Sequence, residues 1–93
     1  MNVQITFSSQ LARKAGVAEQ TLDLPDGTTV QDAIRHVANA HGEEFASLVG
    51  GTDSSQMRTT LLAAVNGEQV HDLAGRVLHE GNELMLLMPM AGG

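Results

Sequence analysis

The chain has no cysteine, no tryptophan and no tyrosine, and Phe7 and Phe45 are the only aromatics among its 93 residues. Without cysteine there is no disulfide, no thiolate metal site and no thiol nucleophile. Without large aromatics the core has to be aliphatic, built from Leu, Val, Ile, Ala and Met. Positive charge is also scarce. One lysine, Lys14, and four arginines, Arg13, Arg35, Arg58 and Arg76, stand against 11 acidic residues, for a net charge of −6. With no basic block, binding to nucleic acid or to an anionic membrane surface is not expected. No apolar run approaches the roughly 20 residues of a membrane span. Residues 1–6 show no basic region followed by an apolar stretch, so no signal peptide is expected and the default compartment is the cytoplasm.

What is present fits one folded domain. The apolar fraction of 42 % is that of a globule rather than a disordered chain, and the length allows a single core spanning residues 1–93. Val3, Ile5 and Phe7 alternate with Gln4, Thr6 and Ser8, the period of a half-buried strand. Residues 10–15 read as a connection with Leu11 anchored inward, ended by Gly16. Residues 20–24 alternate again and stop at Pro25-Asp26-Gly27, a turn by composition. The segments 2–8 and 20–24 are expected to pair antiparallel.

The clearest helix follows. Thr29 is an N-cap candidate with Asp32 three residues on, and Val30, Ala33, Ile34, Val37 and Ala38 form one apolar stripe. Gly42 is a stop, which places the helix at 29–41. Residues 43–49 suggest a second short helix, and 52–58 a polar surface loop. Residues 61–65 are a continuous apolar run before Asn66-Gly67, a strong hairpin signal, with 68–70 as the return strand. Residues 73–78 are consistent with one turn of helix, and 80–83 with a turn. Residues 84–88 are apolar throughout, a strand ended by Pro89. One helix on a mixed sheet of four or five strands is an α+β fold. By topological analogy, the order matches the ubiquitin-like β-grasp, with the last strand joining the sheet centrally.

Three features bear on function. Gly92 and Gly93 read as the end of the chain. Ordering two glycines is entropically costly, so they are of little use for packing. They are thin enough to thread a narrow tunnel and present a carboxylate at the tip. From Pro89 to Gly93 an extended tail reaches about 17 Å at ~3.4 Å per residue. Second, Leu84, Leu86 and Met88 are expected to face the helix, which turns Met85 and Leu87 to the opposite side, with Leu61 and Ala63 beside them. That second side is either covered by the 43–59 segment or an exposed docking patch for partners. Third, His36, His41, His71 and His79 read as isolated surface histidines, and no metal motif, nucleophile–base pair or phosphate loop is recognisable. The acidic residues solubilise the surface or steer it toward basic partners.

Residues 84–93, Leu-Met-Leu-Leu-Met-Pro-Met-Ala-Gly-Gly, resemble the ending of the MoaD/ThiS family of sulfur-carrier proteins: a hydrophobic strand, a proline, a small residue and Gly-Gly. Ala64-Val65-Asn66-Gly67-Glu68 resembles the family's hairpin and Glu80-Gly81-Asn82-Glu83 its last turn, with Asn82 where Asp is common. Residues 7–16 are similar to its first strand and following turn. The resemblance covers nearly the whole chain except 43–59.

The resemblance implies a carrier rather than an enzyme, with no catalytic residue, no metal and no bound cofactor. A ubiquitin-activating-like adenylyltransferase would use ATP to form an acyl-adenylate at Gly93. A sulfur donor of the cysteine desulfurase or rhodanese type would convert it to a thiocarboxylate. The large subunit of an acceptor synthase would receive the sulfur, in the first instance for molybdopterin. Gly92, Ala91, Met90 and Pro89 would thread the partner's active site as a flexible tail, 89–93. Met85, Leu87, Leu61 and Ala63 would form the docking patch, on a monomer that makes transient heteromers. Thiamine, cysteine and tRNA-thiolation routes share this chemistry, and a protein modifier conjugated through Gly93 is the other class.

Overall fold

The computed structural model describes residues 1–43, 45 and 61–87. Its elements are β1 (Asn2–Phe7), α1 (Ser9–Ala15), β2 (Glu19–Asp23), α2 (Val30–His41), β3 (Leu62–Val65), β4 (Glu68–Val70) and β5 (Glu83–Leu87). The five strands form one mixed sheet in the order β2-β1-β5-β3-β4. β1 pairs antiparallel with β2 and parallel with β5, and β3 pairs antiparallel with both β4 and β5. The last strand therefore lies at the centre of the sheet, as the β-grasp order requires. The helix expected at 43–49 and the loop at 52–58 lie largely or wholly outside the described residues, as do Met88 and the tail 89–93.

Alternation builds the core. Val3, Ile5 and Phe7 from β1, Leu84 and Leu86 from β5, and Ala63 and Val65 from β3 are buried on one face. Against them α2 buries Val30, Ala33, Ile34, Val37 and Ala38, the stripe visible in the sequence. Leu11 and Phe45, both fully buried, complete the cluster. Each large aliphatic side chain removed from water in this way stabilises the fold by about 1.5–3 kcal/mol.

The start of α2 is held from two sides. Thr29 Oγ1 accepts the Asp32 N–H at 3.1 Å, the expected cap. The Val30 and Gln31 N–H groups, which no helical carbonyl can satisfy, donate to Arg76 O at 2.9 Å and Leu73 O at 3.0 Å. Those carbonyls come from the 71–78 loop, where the Arg76 N–H donates to Asp72 O at 3.1 Å, the single uncontinued helical turn its composition suggests. The turn is followed by a single bridge from Val77 to Thr29. Asp72 Oδ1 organises the turn by accepting the Gly75 N–H at 3.0 Å. A Cβ at position 75 would lie 2.2 Å from Asp72 Oδ2, so a side chain there would displace the Asp72 carboxylate from the Gly75 N–H.

Residues 9–15 depart from expectation. They are a helix, not a connection. Leu11 is fully buried, Ala12 and Ala15 are half-buried beside it, and Gly16 closes the helix at φ 82° with its N–H on Ala12 O. A left-handed C-cap of this kind favours glycine.

Candidate functional site

The site begins where β5 leaves the sheet. Asn66 and Gly67 both take left-handed conformations, φ 52° and 86°, the two positive values of a tight hairpin turn. Asn66 then staples that hairpin to β5. Its N–H donates to Glu83 O at 2.9 Å, and its Oδ1 accepts the Glu83 N–H at 2.8 Å. At the other end, Ser8 N donates to Leu86 O at 3.0 Å. β5 is thus fixed at both ends between β1 and β3, and it delivers the chain to position 88 from the middle of the sheet.

Along β5 the side chains divide. Leu84 and Leu86 are fully buried on the α2 side. Glu83, Met85 and Leu87 point to the other face, which none of the described helices covers; Met85 is 42 % exposed and Leu87 is half-buried. Pairing sets their neighbours. Met85 lies opposite Thr6 on β1 and Ala64 on β3, and Leu87 lies opposite Leu62. Leu62, Ala64, Met85 and Leu87 therefore form an apolar patch on the open face, beside the exit of β5. Gln4 and Thr6 on β1 and Gln69 on β4 border it, and β2 adds Glu19, Thr21 and Asp23 beyond.

Two residues expected in this patch are not in it. Leu61 is 5 % exposed and Ala63 is 1 % exposed, and both pack into the core on the opposite face. Side chains alternate across a strand, so assigning a strand one residue out of phase moves every side chain to the wrong face. In a run that is apolar at every position, 61–65, alternation gives no phase. The signal was in β4. Val70 is its one apolar residue and pairs with Ala63, so both face inward, and Leu62 and Ala64 must face out. Gly93, Gly92, Ala91, Met90 and Pro89 lie outside the described residues.

The histidines also need a correction. His36, His71 and His79 are exposed, but His41 is half-buried at the end of α2. Its ring lies edge-on to Phe7 at 5.8 Å and tilted against Phe45 at 5.4 Å, and Nε2 shares a hydrogen bond with Gln20 Oε1. Such aromatic edge contacts are packing interactions, so His41 joins α2 to β1 and β2. Among the described residues no group of three His, Asp or Glu side chains is placed to hold a metal. A cleft of about 310 Å³ beside α2 is lined by Leu24, Pro25, Thr28, Asp32, Arg35, His36 and Asn39. Its Arg35–Asp32 pair, at 2.9 Å, is half in solvent, and no serine or cysteine lies in it for a base to activate. No helix of the described residues is long and apolar enough to cross a membrane.

The arrangement is a rigid presenter: a fixed central strand, an apolar face beside its end, and a chain leaving it. Known proteins share this fold. The family model described as the ThiS family matches residues 5–93. The chain is 28 % identical over 93 residues to the molybdopterin synthase sulfur carrier subunit of Chlamydomonas reinhardtii, covering 100 % of both chains. It superposes on a small archaeal modifier protein from Haloferax volcanii with a TM-score of 0.85 and 29 % identity, again over 100 % of both chains. A putative molybdopterin converting factor subunit 1 from Pyrococcus furiosus gives a TM-score of 0.76 and 27 % identity over 97 % of this chain and 99 % of its own. A match that runs from the middle of β1 to the final glycine takes in the other four strands, α2 and the segment beyond β5, and the chain belongs to the ThiS family.

Proposed function

We propose that this protein is a sulfur carrier, itself non-catalytic, that works through a C-terminal thiocarboxylate on Gly93 and supplies sulfur for molybdopterin. The observation that carries the reading is the exit of β5 from the centre of the sheet, beside an apolar face, into a segment ending Gly92-Gly93. Membership of the ThiS family and relatives named sulfur carrier subunits support it.

The chemistry explains why such a tail needs partners. A carboxylate resists acyl transfer because its leaving group is oxide. An adenylyltransferase joins the Gly93 carboxylate to AMP from ATP, releasing pyrophosphate. The terminal sulfur of a donor's persulfide attacks the acyl carbon and AMP leaves. A thiol then cleaves the S–S bond and frees the thiocarboxylate, an ionised soft nucleophile. ATP serves the partner and is not held by the carrier. Pro89 and Met90 precede the Ala91-Gly92-Gly93 end in sequence, and the absence of a Cβ at 92 and 93 suits the tip to a narrow channel. Leu62, Ala64, Met85 and Leu87 dock against the partner while the tail is inside. With no cysteine in the chain, no internal thiol competes for the activated acyl group.

The test is a chain lacking Gly92 and Gly93, assayed with the adenylyltransferase, sulfur donor and synthase large subunit of the same organism. The expected result is complete loss of sulfur transfer with an unchanged circular dichroism spectrum and melting temperature. Retained transfer would refute the carrier reading. A second reading, a protein modifier joined through Gly93 to lysines of targets, is favoured by the 29 % identity and TM-score of 0.85 to the Haloferax modifier. Target lysines that carry the 77–93 peptide after tryptic digestion, which cuts last at Arg76, distinguish it.

A further inference from the structure

The charges of the described residues are sorted by element. No strand contains Lys, Arg or His; the strands contain Glu19 and Asp23 in β2, Glu68 in β4 and Glu83 in β5. The described side-chain cations lie elsewhere: Arg13 and Lys14 in α1, Arg35 in α2 beside Asp32, and Arg76 in the 71–78 loop; the Met1 ammonium lies 3.4 Å from Asp23 Oδ1 and offsets that charge. Register puts three of the strand carboxylates on the open face. Glu19 pairs with Thr6, Asp23 with Asn2 and Glu83 with Gln4, and all three are exposed. Glu19 takes a hydrogen bond from Gln4 Nε2 at 3.1 Å, a neutral donor that leaves its charge in place.

The same face is also graded along β5. Glu83 opens the strand and Leu87 closes it at the tail. Four residues at the rise of a strand separate them by roughly 13 Å. The apolar patch is therefore next to the tail and the Glu83 carboxylate is set back from it. A face whose unpaired strand charges, Glu19 and Glu83, are both negative repels a second copy of itself, which disfavours pairing of the apolar patch with its like. It attracts a protein that is positive around its active site, and an enzyme that binds a nucleoside triphosphate is such a protein.

We propose that the adenylyltransferase bound by this face presents an apolar contact at the mouth of its active site and arginine or lysine residues set back roughly 13 Å from that mouth, where they meet Glu83. Glu19 adds attraction at longer range. This inference rests on the docking role of the open face given above.

Stopped-flow association with the adenylyltransferase of the same organism tests it. The wild-type association rate is expected to fall on the order of tenfold from roughly 50 mM to roughly 500 mM salt. Glu83→Lys should lower the low-salt rate by about threefold to tenfold and flatten the salt dependence. Glu83→Gln should give a smaller loss in the same direction. Asp26→Lys makes the same change in net charge from the turn after β2 and should have a clearly smaller effect. A rate independent of salt, or equal losses in Glu83→Lys and Asp26→Lys, overturns the inference. Met85→Asp separates the two layers. If it binds like wild type, the docking reading itself fails. If it loses binding while Glu83→Lys behaves like wild type, docking stands and the charge inference fails.

Discussion

The two faces of the sheet are made by the same five strands and differ in everything else. Toward α2 the side chains of the three central strands β1, β5 and β3 are Val3, Ile5, Phe7, Ala63, Val65, Leu84 and Leu86, each at most 5 % exposed. Toward the other side they are Gln4, Thr6, Leu62, Ala64, Glu83, Met85 and Leu87, all exposed or half-buried. The first set holds the fold together, and the second is free to serve a partner. One residue of phase separates a structural position from a surface position, which is why Ala63 and Ala64, identical side chains in neighbouring places, have different roles.

Substitutions on the two faces should therefore separate stability from binding. Leu84→Ala, on the covered face, is expected to lower unfolding free energy by about 2–5 kcal/mol, read by urea denaturation. Met85→Asp, one residue away, should change stability by no more than about 0.5 kcal/mol yet weaken binding to the synthase large subunit by on the order of tenfold or more, read by calorimetry. A stability loss at Met85 equal to that at Leu84 would break the distinction between the faces.

The alanine pair sharpens the same contrast. Ala63→Leu overpacks the core and is expected to cost about 1–3 kcal/mol. Ala64→Leu enlarges the open patch and should stay within about 0.5 kcal/mol. Similar losses for both in chemical denaturation would mean that the open face is covered. Away from the sheet, an effect smaller than those of the core substitutions is expected. Thr29→Ala removes the acceptor of the Asp32 N–H and should cost about 1 kcal/mol, measured by thermal melting, with partner binding unchanged.

How far the sequence discloses this molecule depends on how local each signal is. α2 is legible because its cap, its apolar stripe and Gly42 all lie within one segment. The β3–β4 hairpin is legible because Asn66-Gly67 names its own turn. α1 is not, because seven residues with one leucine are too few to show a period, although Gly16 marks its end. The phase of β3 is hidden in an unbroken apolar run and is set by pairing with Val70 across the hairpin. The place of His41 depends on Gln20 and Phe7, which are distant in sequence. The apolar character of 84–88 is plain in the sequence, and the division of β5 at Met85 and Leu87 follows from strand alternation. Their neighbours Leu62 and Ala64 became visible only with the sheet register.

The central claim is that Gly93 carries sulfur. The most direct measurement is intact-mass spectrometry of the protein made in its own host, or incubated with its adenylyltransferase, ATP and sulfur donor. The account predicts a species in which one oxygen is replaced by sulfur, located at Gly93 by fragmentation and absent from the chain lacking Gly92 and Gly93. Only the unmodified mass, under conditions in which the adenylyltransferase consumes ATP in the presence of the chain, would contradict it.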